Sequence, residues 1–475
     1  MKSGMMRLSI IFTLFFFGTT VLSALEIPYQ SDIVFSEFSA IPEPFGTDQL
    51  IKMFLISSGT DSESIPVYIQ ILEKHIQNLN ESVKDKKTES EEEGEIVLKY
   101  MHENILSSYN YQQTRLNILL DDGSYNCVSS AVLYILLTRS FGLQVYGIHS
   151  SDHAFCSLQP SDGSEAIDVE TTNLWGFNPG LKKDFHSDFT NKTGYIYVPP
   201  GDYSDRSQLG DKDMAGLILQ NRIVENQKRN RYDKALELAA NRLALTQSEQ
   251  AEKDYFDSVQ NLAAWHNRLH EYEAGIDVIQ TVTTGDYDLP DFLIQTRYQM
   301  VYNFCGTILN SGNTEKAETV MIRYKHFLPD TLIEELTFLI EEKKLDHIIK
   351  QGYSEDSVLQ VHNALSTGII TEKRASEMLV YLYANEAEKI ALRSNYLEGL
   401  LFLKGSESWL HETKDFIRLL SVYEQNYAVT IHNTAFPMIN NGRYEDAALL
   451  LQKGLDIIPG NQLLLNDLRK IESAQ

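Results

Sequence analysis

The sequence predicts an α+β domain followed by an all-α array of paired helices. Three observations lead there. Between Tyr125 and Thr172, a cysteine opens an apolar helical run, and short alternating stretches follow that read as an antiparallel meander. From Lys212 onward the strand signals vanish and helical patterns recur in pairs. A unit near the carboxyl end, Asn441–Asn461, reappears upstream in weaker form.

At the amino end, Lys2 and Arg7 precede the apolar run LSIIFTLFFFGTTVL, and Ser23-Ala24 follow it. A basic start, a short apolar core and small residues at the exit describe a secretory signal over residues 1–24. The run is shorter than the roughly 20 residues that cross a bilayer comfortably. The protein is therefore expected to be exported, to a periplasm or the medium, with no membrane association beyond that segment. Residues 25–94 read as an irregular, proline-containing lead-in, two helices (Asp48–Ser58 and Glu63–Val83) and a charged linker, KDKKTESEEEGE, at Lys84–Glu95.

The α+β domain is assigned to residues 95–205. Glu95–Tyr109 is helical, Asp121–Ser124 is a turn, and Cys127–Ser140 carries a continuous apolar stripe, which marks a buried helix. Gln144–His149 and His153–Leu158 alternate as strands. Ser161–Ser164 turns the chain, Ala166–Glu170 returns it, and Gly194–Val198 adds a further strand. The array covers residues 211–475. Gly442, Tyr444, Ala447, Leu455 and Pro459 of its last unit align with Asn230, Tyr232, Ala235 and Leu243, and with His270, Tyr272, Gly275 and Ile279. Gly312, Ala317 and Pro329 give a third match, and Ser394, Tyr396 and Gly399 a weaker one. The aromatic fills the turn between two helices, and the small residue lets them approach.

Formal charge is −25, and loss of the signal removes two more cations. No basic footprint for nucleic acid or anionic lipid is visible. Three cysteines in so long a chain make no disulfide framework. The sequence contains no P-loop, dinucleotide fingerprint or zinc-type cysteine spacing, so neither a cofactor nor a metal is expected. His266 and His270 stand one helical turn apart without a third ligand, and they read as an ordinary helix surface. Cys305 falls at a small-residue slot of a repeat and reads as core.

Chemistry concentrates at Cys127, His153 and Asp168. Thiol catalysis requires a thiolate, a base to form it and donors for the developing oxyanion. Cys127 stands where a helix begins, where unpaired amides and the helix dipole favour negative charge. An imidazole from His153 would take the thiol proton, and Asp168 would orient that imidazole. His153 and Cys156 are an odd number of residues apart and face opposite sides of their strand, which argues against a Cys127–Cys156 disulfide. Asp168 lies between apolar Ile167 and Val169 and needs a partner. Tyr125 and Asn126, beside the cysteine, are candidate substrate-binding residues and oxyanion donors. Trp175, in a turn-rich aromatic loop, is a candidate cleft residue, and His149 and Asp152 are expected to shape the turn before His153.

The pieces N-C-V-S-S-A-V-L-Y-I-L-L-T-R-S-F-G-L, H-A-F and I-D-V-E-T-T resemble the transglutaminase-like superfamily, the papain-related group with Cys, His and Asp in that order. Arg139, Gly142, Ala154, Phe155 and Thr171 fit its pattern; Asn126 before the cysteine, and Phe155 where tryptophan is usual, depart from it. The resemblance covers about Glu95–Val198 and implies catalytic roles for Cys127, His153 and Asp168. The helix pairs resemble tetratricopeptide repeats, with longer spacing than the usual ~34 residues. Together these imply an exported thiol enzyme that hydrolyses peptide or other amide bonds, or cross-links them, with a repeat array that binds a protein or peptide. The alternative is a non-catalytic scaffold that uses the repeats for protein–protein interaction.

Overall fold

The computed structural model describes residues 27–83, 89–150, 153–180, 183–194, 206–282 and 289–474. The expected signal segment lies outside them, as do Asp152, residues 84–88 of the charged linker and residues 195–198 of the expected strand Gly194–Val198. Within the described residues the chain is mostly helical, carries a small antiparallel sheet and ends in an all-helical region. It separates into two compact units, Met1–Met300 and Val301–Gln475.

In the first unit, α1 (Val34–Ser39), α2 (Thr47–Ser57), α3 (Ile65–Val83) and α4 (Ser90–Asn104) come first. The short strands β1 (Ser108–Tyr109) and β2 (Ser124–Tyr125) pair in parallel across α5 (Leu116–Asp122). Next come α6 (Cys127–Ser140), β3 (Gln144–Ser150), β4 (His153–Gln159), β5 (Ile167–Val169), α7 (Lys183–Thr193) and β6 (Ser207–Leu209). The sheet runs in the order β5-β4-β3-β6, antiparallel throughout.

Helix α6 is the spine of this unit. Apolar side chains surround it, and every residue from Val128 to Thr138 is buried, as a helix without a polar face must be. Asn126 caps its start: the Asn126 side chain accepts from the Ser129 amide, and the Ser129 hydroxyl accepts from the Asn126 amide, both at 3.0 Å. Its end closes through Gly142, whose φ of 78° lets the Gly142 and Leu143 amides turn back to the Arg139 and Thr138 carbonyls. The helix packs on β3 and β4, and the Cys156 thiol, fully buried on that face, donates to the Ala131 carbonyl at 3.6 Å.

The first unit continues with α8 (Asp211–Lys228), α9 (Tyr232–Thr246), α10 (Glu249–Arg268) and α11 (Tyr272–Val282). Then come α12 (Asp291–Asn310), α13 (Thr314–Tyr324), α14 (Asp330–Gln351), α15 (Glu355–Ser366) and α16 (Glu372–Arg393). The chain ends with α17 (Tyr396–Lys404), α18 (Lys414–Asn440), α19 (Tyr444–Ile457) and α20 (Gln462–Ala474). One turn geometry recurs. Asn230, His270, Gly312 and Gly442 all hold left-handed φ, at 58°, 61°, 85° and 73°. In each case the next amide (Arg231, Glu271, Asn313 or Arg443) bonds the carbonyl five residues back, at 2.9 to 3.3 Å. The small residues after these turns, Ala235, Gly275, Ala317 and Ala447, are buried. Ser394, the weaker match, has φ −124° and lacks this turn.

Candidate active site

Three segments converge on one point: the start of α6, the start of β4, and the loop that leaves β5. Cys127 is the first residue of α6 and is partly exposed, whereas Cys156 and Cys305 are buried; all three thiols are free. Burial pushes the Cys156 thiol well above its ordinary range and the Cys305 thiol up to about 11, which leaves both poor nucleophiles. Helix geometry leaves the first-turn amides of Cys127 and Val128 without intrahelical partners.

His153 opens β4 and is 6% exposed. Its ring stacks on Phe155, with centroids 6.1 Å apart, and meets the edge of Phe189 of α7 at 5.6 Å. The Cys127 thiol lies near enough to this imidazole to favour its protonated form. Nε2 bonds the Glu170 carboxylate at 2.6 Å. Burial alone would drive His153 towards the neutral form, and it is the largest single influence. The Glu170 carboxylate, and after it the Cys127 thiol, outweigh that burial and hold the imidazole well above its usual range.

The carboxylate that bonds His153 is therefore Glu170, not Asp168. Strand register is the reason. Ser157 stands opposite Asp168 and Cys156 opposite Val169, which places Glu170 at the level of Phe155. Asp168 thus sits four residues along the strand from His153, about 13 Å away at the rise of a strand. Glu170, on the same face, is the diagonal neighbour. Asp168 instead takes both terminal nitrogens of Arg206, at 2.8 and 2.5 Å, while the guanidinium lies 5.1 Å from the centre of the Phe155 ring. Alternation along the strand gives Asp168 and Glu170 equal standing in the sequence; only the pairing register separates them.

The loop after β5 is polar yet sealed. Glu170, Thr171, Thr172 and Asn173 are each at most 1% exposed. Thr171 shares a 2.8 Å hydrogen bond with the Ser130 hydroxyl, and its carbonyl pairs with Nε2 of His102 at 3.1 Å. Burial, then the Lys192 ammonium, push His102 down to about 4, so it is neutral at physiological pH. Gly176 closes the loop: the Glu170 amide donates to its carbonyl at 2.8 Å, and any Cβ there would lie 2.0 Å from the Glu170 carbonyl oxygen.

The expected binding residues divide. Tyr125 is 1% exposed and donates its hydroxyl to the Thr172 carbonyl at 3.2 Å, so it is a strut rather than a wall of the cleft. Asn126 accepts from the Ser129 amide through Oδ1 and donates one of its two side-chain N–H groups to the Tyr111 carbonyl. Trp175 is 53% exposed at the tip of the β5 loop and remains available to a ligand. His149 lies within β3, paired with Ala154 of β4. His266 bonds Glu271 and His270 bonds the Tyr272 hydroxyl, and among the described residues no cluster of potential ligands could hold a metal.

No family model matches the chain, and no curated protein matches it.

Proposed function

We propose that the protein is an exported thiol enzyme of the transglutaminase-like kind, which cleaves peptide or other amide bonds through Cys127, His153 and Glu170. One observation carries the reading: a buried imidazole bonded by a carboxylate at 2.6 Å, with a helix-initiating thiol close enough to influence its charge. A positively charged His153 is the natural counterion of a Cys127 thiolate.

In the reaction, the Cys127 sulfur attacks the amide carbonyl carbon, and the new oxyanion meets the first-turn amides of α6. His153 gives its proton to the amide nitrogen, the C–N bond breaks, and the amine departs. His153 then takes a proton from water as that water attacks the thioester. The carboxylic acid leaves and the thiol–imidazole pair is restored. An amine in place of water would yield a cross-link.

The second part of the proposal concerns the helix pairs. Their recurrent turn and buried small residues support a tetratricopeptide-like solenoid that holds a protein or peptide partner. The expected export signal supports a periplasmic or secreted location; among the described residues no helix is long and apolar enough to cross a membrane.

The test is alkylation at neutral pH with iodoacetamide, read by intact mass. We expect Cys127 to react at least about tenfold faster than a free cysteine, and Cys127→Ala to remove that fast phase without loss of helical signal. A fast phase that survives in Cys127→Ala overturns the assignment. Reaction of Cys127 no faster than free cysteine leaves the non-catalytic scaffold as the reading.

A further inference from the structure

We infer that Thr172 is a positioning residue of this site, which fixes the Glu170 carboxylate in the one orientation that serves His153. The inference rests on the thiol-enzyme reading above and extends it by one link.

Glu170 has two carboxylate oxygens to satisfy inside a nearly sealed pocket, since its side chain is 1% exposed. Oε2 takes His153 at 2.6 Å. Oε1 takes two donors from a single residue: the Thr172 hydroxyl at 2.8 Å and the Thr172 amide at 3.3 Å. A carboxylate held at one end only can rotate about its last bond, and each rotation moves the other oxygen off the imidazole. With both oxygens occupied, that rotation breaks hydrogen bonds to a buried charge, which is costly. The Thr172 hydroxyl is thus the pin, and the imidazole the pinned load.

Thr172 also ties the two halves of the site together. Its carbonyl accepts the Tyr125 hydroxyl at 3.2 Å, and Tyr125 ends the short strand that leads into Asn126 and Cys127. One residue therefore connects the backbone approach to the thiol with the carboxylate behind the imidazole. Thr171, the preceding residue, anchors the same loop to the first turns of α6 through Ser130. A valine at 172 would keep the shape and the amide but lose the hydroxyl donor.

Two readouts on the full chain separate positioning from packing: the His153 titration midpoint by NMR of its ring protons, and the Cys127 alkylation rate at neutral pH. Thr172→Val is expected to slow alkylation about tenfold and to lower the midpoint part of the way towards Glu170→Gln. Thr172→Ser, which restores the hydroxyl, is expected to recover both. Tyr125→Phe leaves Thr172 intact and removes only its carbonyl's donor; it is expected to slow alkylation severalfold, and it carries the test if Thr172→Val does not fold. Parent values in both Thr172→Val and Tyr125→Phe, alongside a lowered midpoint in Glu170→Gln, overturn the inference alone. An unchanged midpoint in Glu170→Gln overturns the underlying reading instead.

Discussion

The loop at residues 170–176 and the turns between paired helices are both short connections that invert the chain, and they solve opposite problems. The helix turns are exposed and stereotyped: at Asn230, His270, Gly312 and Gly442 a single left-handed residue and one long-reach amide bond are enough. Each is specified within a few residues of sequence. The 170–173 loop is buried, polar and unrepeated, and its donors and acceptors come from α4, α6, β2 and β4. A buried polar loop is stable only while each partner stays in place, so distant parts of the chain specify it together. Local rules build the scaffold, and non-local register builds the site.

The sharpest test sets the two same-face carboxylates of β5 and its exit against each other. Glu170→Gln removes the charge that holds His153 up and is expected to reduce Cys127 alkylation at neutral pH by about a hundredfold. Asp168→Asn is expected to change that rate by less than about twofold, because its partner is Arg206 rather than the imidazole. Its cost appears in stability instead, about 2 kcal/mol in a denaturant titration, since a largely buried guanidinium loses its counterion. The reverse pattern would restore Asp168 as the orienting carboxylate. The sign of the pH effect follows from the upward displacement of His153. The stability that this histidine adds is full below its unfolded value, near 6.5, and is lost as pH rises through its higher folded value. Glu170→Gln should flatten that alkaline decline.

Next in size is Gly176→Ala. A Cβ at that position would lie 2.0 Å from the Glu170 carbonyl oxygen and 3.0 Å from that of Asn173, and backbone cannot yield as a side chain can. We expect a loss of about 3 kcal/mol by chemical denaturation, together with slower alkylation as Glu170 is displaced. A variant with parent stability would mean that the loop is more pliable than its hydrogen bonds imply.

These contrasts explain what the sequence could and could not convey. The cysteine-led helix was legible because its apolar residues cover all sides and Asn126 caps it, both local properties. The opposite facing of His153 and Cys156 followed from strand parity, and Cys156 does bond α6 while His153 meets Phe189. The repeat alignment was legible because a left-handed turn favours glycine or asparagine, found at three of these four turns, with His270 at the fourth. The carboxylate was not. Asp168 and Glu170 share a face, and the choice between them depends on how β5 registers against β4, which parity leaves open. Arg206, the residue that claims Asp168, is remote in sequence, and no local pattern marks it. A signal that could have pointed to Glu170 is the pair Thr171-Thr172 just after it, two hydroxyls beside a carboxylate.

A smaller effect separates the site from acid. His102 is held down to about 4 by burial and by Lys192, below its unfolded value near 6.5. The unfolded chain therefore binds the proton more readily in that window, and stability falls as pH drops through it. Between pH 6.5 and 5 the expected loss is about 2 kcal/mol, and His102→Gln should remove that part of the acid sensitivity. An identical acid profile in the variant would mean that the Thr171 loop carries no proton-linked strain at this histidine.

The smallest effect belongs to the helix turns. Gly442 has φ 73° and open space where a Cβ would be, so Gly442→Ala meets no atom and carries only the backbone penalty of a left-handed residue. That penalty is about 1 kcal/mol, a third of the loss expected at Gly176. The two alanines thus separate a conformational cost from a steric one. The turn at 442 should also show no change in Cys127 alkylation, whereas the loop at 176 should show one. Equal losses at both positions would mean that the buried loop, like the turn, is held by its own backbone rather than by the partners gathered around Glu170.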